Sequence, residues 1–156
     1  MSDLSLLYEK DFPAWTARTV DLLRQGRCAD LDLEHLAEEL GDMGKSRRHE
    51  LVNRLRMLLA HLLKWQFQYP RLTARWAEFE GRRWRDTIIE QRAALGYLLD
   101  ENPGLQSVLA DAIAESYQQA LDLAVDETEL PVSLFPPACP YSQAQVLARD
   151  YYPPAE

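Results

Sequence analysis

Apolar residues recur at helical spacing from about residue 5 to 128, and no stretch alternates apolar with polar long enough to make a strand. At 100° per residue, Tyr8, Phe12, Trp15, Thr19, Leu22 and Leu23 share one face. They predict a helix over about 5–25, or one that starts near Asp11 with Pro13 in its first turn and ends at Gly26. Asp32 is a good N-cap for a second helix over about 33–43, with Leu33, Leu36, Leu40 and Met43 as its stripe. Gly41 and Gly44 predict a kink or break there. A third helix over about 45–68 carries a broad apolar arc from Leu51 to Leu63, with Lys64 pointing the opposite way, and stops at Pro70.

The fourth helix spans about 74–101 on a core line of Trp84, Ile88, Leu95 and Leu99, with Gly81 as a weak point. Asn102 and Pro103 suit the cap and first position of a fifth helix over about 103–128. Its face of Leu105, Leu109, Ala112, Ile113, Ser116, Ala120 and Ala124 is small enough for close helix approach. Beyond Leu130 the prolines exclude an ordinary helix. The expectation is an extended strap anchored by Leu134, Phe135 and Tyr141, a short last helix over 143–149 capped by Ser142, and a frayed tail over 150–156. The whole reads as an all-α, single helical bundle of about five main helices, forming one domain over 1–149 that includes the Pro-rich C-terminal strap from 130.

Charge refines this picture. Of 156 residues, 17 are Lys or Arg and 25 are Asp or Glu, a formal net charge of −8. The acids dominate residues 1–44 and 93–148, the latter without any Lys or Arg, whereas 45–92 holds twelve basic and five acidic side chains. A basic middle packed between acidic neighbours explains this within one bundle. The overall acidity argues against nucleic-acid binding through the basic segment 45–85, which stays an alternative. No run of about 18 apolar residues predicts a membrane span, and the N-terminus has no signal-peptide pattern. Cys28 and Cys139 make neither a disulfide framework nor a zinc site, so a cytoplasmic protein with reduced thiols is expected.

Two polar residues stand on apolar faces. Arg92 lies within about 40° of Ile88, in the middle of the core line, where an unpartnered guanidinium costs several kcal/mol. Glu39, on the shoulder of the Leu36–Leu40 face, is the expected partner of a buried or half-buried pair. His61 sits just outside the apolar arc beside Trp65, a place for a hydrogen-bonded interhelical histidine. Glu39, His61 and Arg92 therefore form the candidate polar network, read first as structural and alternatively as the site of a small metal-binding or hydrolytic protein. His35 with Glu38 and Glu39 has ligand spacing, but neither Glu-x-x-His nor His-Glu-x-x-His occurs, and no metal or cofactor is expected. Gly-rich phosphate loops and Gly-x-Ser-x-Gly are absent as well. Trp65, Tyr69, Arg71, Arg75, Trp76, Arg82 and Arg83 combine aromatic and Arg anchors on one stretch. They point to a non-enzymatic protein–protein interaction or regulatory module, with a protein partner or a second copy of the chain as its ligand.

Several ordered strings resemble one bacterial family. They are Tyr8 to Thr16, Leu31 to Leu40, His61 to Phe67, Trp84 to Arg92, and the tail from Leu130-Pro131 through Phe135-Pro136 to Cys139-Pro140. Together they resemble the family catalogued as domain of unknown function number 29, over about 7–152. The resemblance implies an all-helical bundle from cyanobacteria or proteobacteria and assigns no activity. The segment between Trp65 and Trp84 is longer than the usual spacing of that family, which bears on where the fourth helix starts.

Overall fold

The computed structural model describes residues 2–155. Among them are six α-helices and no strand. The chain divides into two compact units, 1–46 and 47–156, where one domain over 1–149 was expected.

In the first unit, α1 (Asp3–Lys10) and α2 (Phe12–Arg24) pack against each other. A continuous helix over 5–25 does not form. Pro13 has no N–H to bond the carbonyl of Glu9, and Asp11 leaves the helical region (φ −152°, ψ 83°). Asp11 instead caps α2, accepting from the Ala14 N–H at 3.1 Å. Gly26 ends α2 with a left-handed φ of 69°, as its position predicted. Trp15, Thr19 and Leu22 are the buried face.

The long helix α3 (Leu33–Leu63) starts in the first unit and ends in the second. Asp32 caps it, its carboxylate accepting from the His35 N–H. The predicted break at Gly41 and Gly44 is absent. A Cβ at either glycine would meet nothing within 4 Å, so each costs only about 1 kcal/mol of helix propensity and does not interrupt the helix.

In the second unit, the last turns of α3 are buried on every side. Leu51, Val52, Leu55 and all six residues from Leu58 to Leu63 are buried. A helix enclosed all round needs neighbours on each face. These come from α4 (Ala74–Glu101), α5 (Leu109–Thr128) and the C-terminal segment, whose buried apolar residues join one core. α4 has the bounds its pattern predicted. α5 starts later than 103, because Pro103–Val108 winds as a 3₁₀ turn and Asn102 donates back to Leu98 O at 3.0 Å instead of capping forward.

After α5, Leu130–Pro140 holds one short 3₁₀ turn, Val132–Leu134. Phe135 is buried edge-on against Phe67, and Tyr141 is buried with its hydroxyl donating to Gln66 Oε1 at 2.7 Å. Ser142 opens α6 (Gln143–Leu147) with a reciprocal cap: its hydroxyl accepts from Gln145 N–H, and the Gln145 side chain accepts from its own N–H. Tyr151 and Tyr152 are half-buried, Pro153 is buried, and the tail's last residue, 156, lies outside the described residues. No helix among the described residues is long and apolar enough to cross a membrane.

Candidate functional site

The three residues of the expected polar network have separate surroundings. Glu39 belongs to the first unit, where its Oε1 accepts from the Tyr8 hydroxyl at 2.5 Å. That bond pushes the Tyr8 pKa up to about 12. Tyr8 also stacks on His35 with centroids 3.9 Å apart, and the His35 Nδ1 meets Asp32 Oδ2 at 2.5 Å. The hydrogen bond that His35 donates to the Asp32 carboxylate holds the imidazole pKa above its ordinary value.

Arg92 belongs to the second unit and is 5% exposed, as its place on α4 predicted. Its partners are backbone carbonyls and not Glu39. Nε donates to Val146 O at 3.0 Å, Nη1 to Tyr151 O at 2.7 Å and Nη2 to Gln145 O at 3.1 Å. The guanidinium also lies 5.6 Å from the centre of the Tyr152 ring. Glu39 and Arg92 each find their partners within their own unit. A helical face reports how deep a side chain lies and not which group meets it.

His61 lines a cleft of about 680 Å³ in the second unit, within the range of ordinary ligand sites. The walls come from α3 (Met57, His61), from Lys64 and Gln68 just beyond it, from α4 (Trp76, Glu80, Arg83, Trp84) and from Glu127 near the end of α5. Asp86 and Thr87 add a carboxylate and a hydroxyl. The geometry begins in the backbone. At Lys64–Gln68, α3 widens into a π-helical turn, a distortion that recurs at functional sites. Lys64 is buried there, although its angle on the helix set it opposite the apolar arc. Its ammonium pairs with the Glu127 carboxylate. Burial pulls the Lys64 pKa down, with the Glu80 charge opposing.

The second device is Gly81. A Cβ at that position would sit 2.6 Å from Tyr69 Cε2, so only glycine lets the Tyr69 ring lie against α4. Tyr69 then stacks on Trp65 at 5.0 Å and meets Trp84 edge-on at 6.5 Å. The glycine that read as a weak point is a packing site.

The His61 tautomer follows from its partner. Nδ1 lies 2.7 Å from Met57 O, on the same helix and not across to a neighbour as expected. A carbonyl only accepts, so Nδ1 carries the proton and Nε2 keeps its lone pair when the ring is neutral. Burial pushes the His61 pKa below its ordinary value, and the Lys64 and Arg83 charges push the same way. No protein group bonds Nε2 among the described residues.

The predicted partner surface divides. Trp65 and Tyr69 are half-buried, Trp65 lying against Tyr152 as well as Tyr69. Arg71 is exposed and donates to Phe67 O. Arg75, Trp76, Arg82 and Arg83 are exposed along the first half of α4. Phe79 joins Trp76 there, the two rings 55% and 53% exposed and 6.4 Å apart. Arg82 pairs with Glu78 and Arg83 with Glu80. Lys64 follows His61 by one turn in sequence, but its angle away from the leucines hid its place in the cleft. Glu80, Asp86 and Glu127 carried no local signal.

Among the described residues, no three His, Cys, Asp or Glu side chains converge as a metal site. The fold and site define an all-helical protein with a polar, ionisable cleft beside an aromatic ridge. The model of the family described as Domain of unknown function DUF29 matches residues 7–152, and the chain belongs to that family. No curated protein and no solved structure matches it.

Proposed function

We propose that the chain is a non-enzymatic binding module of a bacterial cytoplasm, which takes a partner protein's side chains into the cleft of the second unit. The exposed Trp76–Phe79 ridge at the cleft carries the reading. Two large rings in water at i and i+3 are unusual on a free surface and typical of interface anchors. Free Cys28 and half-buried free Cys139 suit a reducing compartment. The pairing of basic side chains supports a protein partner over a nucleic acid. Arg47 and Arg54 meet Glu50, Arg48 meets Glu115, and Arg82 and Arg83 meet acids one turn back.

A photo-crosslinking residue in place of Phe79, used in the producing cell, tests the reading. One recurrent protein adduct is expected, lost when Trp76→Ala is added. A second copy of the chain as the adduct makes the module self-associating. Absence of any recurrent adduct, or one indifferent to Trp76→Ala, sinks the proposal.

The free Nε2 of His61 favours a second reading, proton transfer to a small substrate in the same cleft, without Glu39 or Arg92. Ester or amide hydrolysis by the purified chain that vanishes in His61→Gln supports it. Equal turnover in the variant, or no turnover, removes it.

A further inference from the structure

A second cavity, of about 320 Å³, is lined by Ile89, Arg92, Ala93 and Arg149. Its composition is unusual: two guanidinium-bearing residues, two apolar ones and no acid. Of the five N–H bonds of Arg92, three go to carbonyls, which leaves one on each terminal nitrogen without a protein acceptor. No carboxylate lies within ion-pair distance of Arg92 among the described residues. Asp150 is the acid whose charge it feels through space. Carbonyl dipoles orient the guanidinium but do not neutralise it. A buried cation with no ion-pair partner carries a penalty that a bound anion relieves.

Arg149 strengthens the case. It is exposed, and among the described residues it makes no hydrogen bond or ion pair. Two positive side chains on one cavity repel each other until an anion enters. The other two walls select the anion. Ile89 is a large apolar side chain about half exposed, and Ala93 is one helical turn away on the same face of α4. An apolar wall suits an alkyl group and supplies nothing to a dianion that needs donors on every oxygen. A carboxylate's two oxygens are matched by a guanidinium fork.

We propose that this cavity binds a small monocarboxylate through Arg92 and Arg149, with its alkyl chain against Ile89 and Ala93. The site is independent of the cleft at His61, shares no residue with it, and stands or falls without the partner-binding reading.

Titration of the full chain with hexanoate, followed by backbone amide NMR, tests the site. Saturable shifts at Ile89, Ala93 and Arg149 are expected, with hexanol and inorganic phosphate each at least about tenfold weaker. Arg149→Ala is expected to weaken hexanoate about tenfold and to leave the unliganded melting temperature unchanged, since that side chain bonds nothing. Ile89→Glu, which brings an internal carboxylate to the cavity, is expected to abolish binding. Equal affinity for hexanol overturns the proposal, as that describes an apolar hole. Preference for phosphate, hexanoate binding indifferent to Arg149→Ala, or no saturable shift at these residues overturns it as well.

Discussion

The two ends of α3 carry similar apolar patterns and have opposite fates. Leu33, Leu40 and Met43, in the first unit, are 63%, 59% and 66% exposed. Leu55, Leu58, Leu59, Leu62 and Leu63, in the second, are fully enclosed. Hydrophobic spacing therefore marks a helix and one of its faces, but whether that face is covered depends on what the rest of the chain brings to it. The histidines of the same helix repeat the contrast. His35 is held toward its charged form by Asp32, whereas His61 is held toward its neutral form by burial.

The largest effect expected from breaking this contrast is at Arg92, which ties α4 to the C-terminal segment of the second unit. Arg92→Met leaves three carbonyls without their donor and is expected to cost about 4 kcal/mol, read as a lowered urea midpoint. On α3 itself, Leu59→Ala should cost about 3 kcal/mol by opening a cavity. Leu40→Ala should stay within about 0.5 kcal/mol of wild type in the same urea series. A large loss at Leu40 would show that the first unit's apolar stripe is covered in solution.

Gly81→Ala is expected to have a net cost of about 1 kcal/mol, between those of Leu59→Ala and Leu40→Ala. Strain against the stacked Tyr69 ring, about 2 kcal/mol, is offset by about 1 kcal/mol of helix propensity. A gain in stability would mean that the Tyr69 ring moves aside freely.

The smallest effects are those of pH, and they carry opposite signs. For His61 the folded pKa lies below the ordinary 6.5, so the unfolded chain binds the proton first. Its contribution to stability is whole above pH 6.5 and declines as pH falls from there toward the folded pKa. For His35 the folded pKa lies above 6.5, so its contribution is whole below pH 6.5 and declines as pH rises through the folded pKa. Imidazole C–H resonances followed by NMR should titrate below 6.5 for His61 and above it for His35. Conversion to Gln should remove each trend separately. Coincident titrations would erase the contrast.

The end of α4 was legible because its cause is local, the Asn102-Pro103 turn, whereas its start was left open by the long spacing between Trp65 and Trp84. The break expected at Gly41 and Gly44 failed because a propensity cost of about 1 kcal/mol per glycine does not interrupt a helix in open surroundings. The cleft was half legible. His61 and Trp84 stood out by position, while Glu80 and Glu127 look in sequence like any acid on a solvated helix. The burial of Lys64 was hidden, since its angle on the helix faces away from the leucines.

By itself the sequence determined that the chain is helical, where its punctuation falls, that Ser142 opens the last helix, and that Arg92 stands on a core face. These follow from periodicity and from caps three residues long, which act over one or two helical turns. Only the tertiary structure decided what Arg92 binds, what encloses Lys64 and which end of α3 is covered. The acceptors of Arg92 lie 53 to 59 residues away, and Glu127 lies 63 residues from Lys64. Partners at that separation are chosen by how helices pack, and no local pattern encodes that choice.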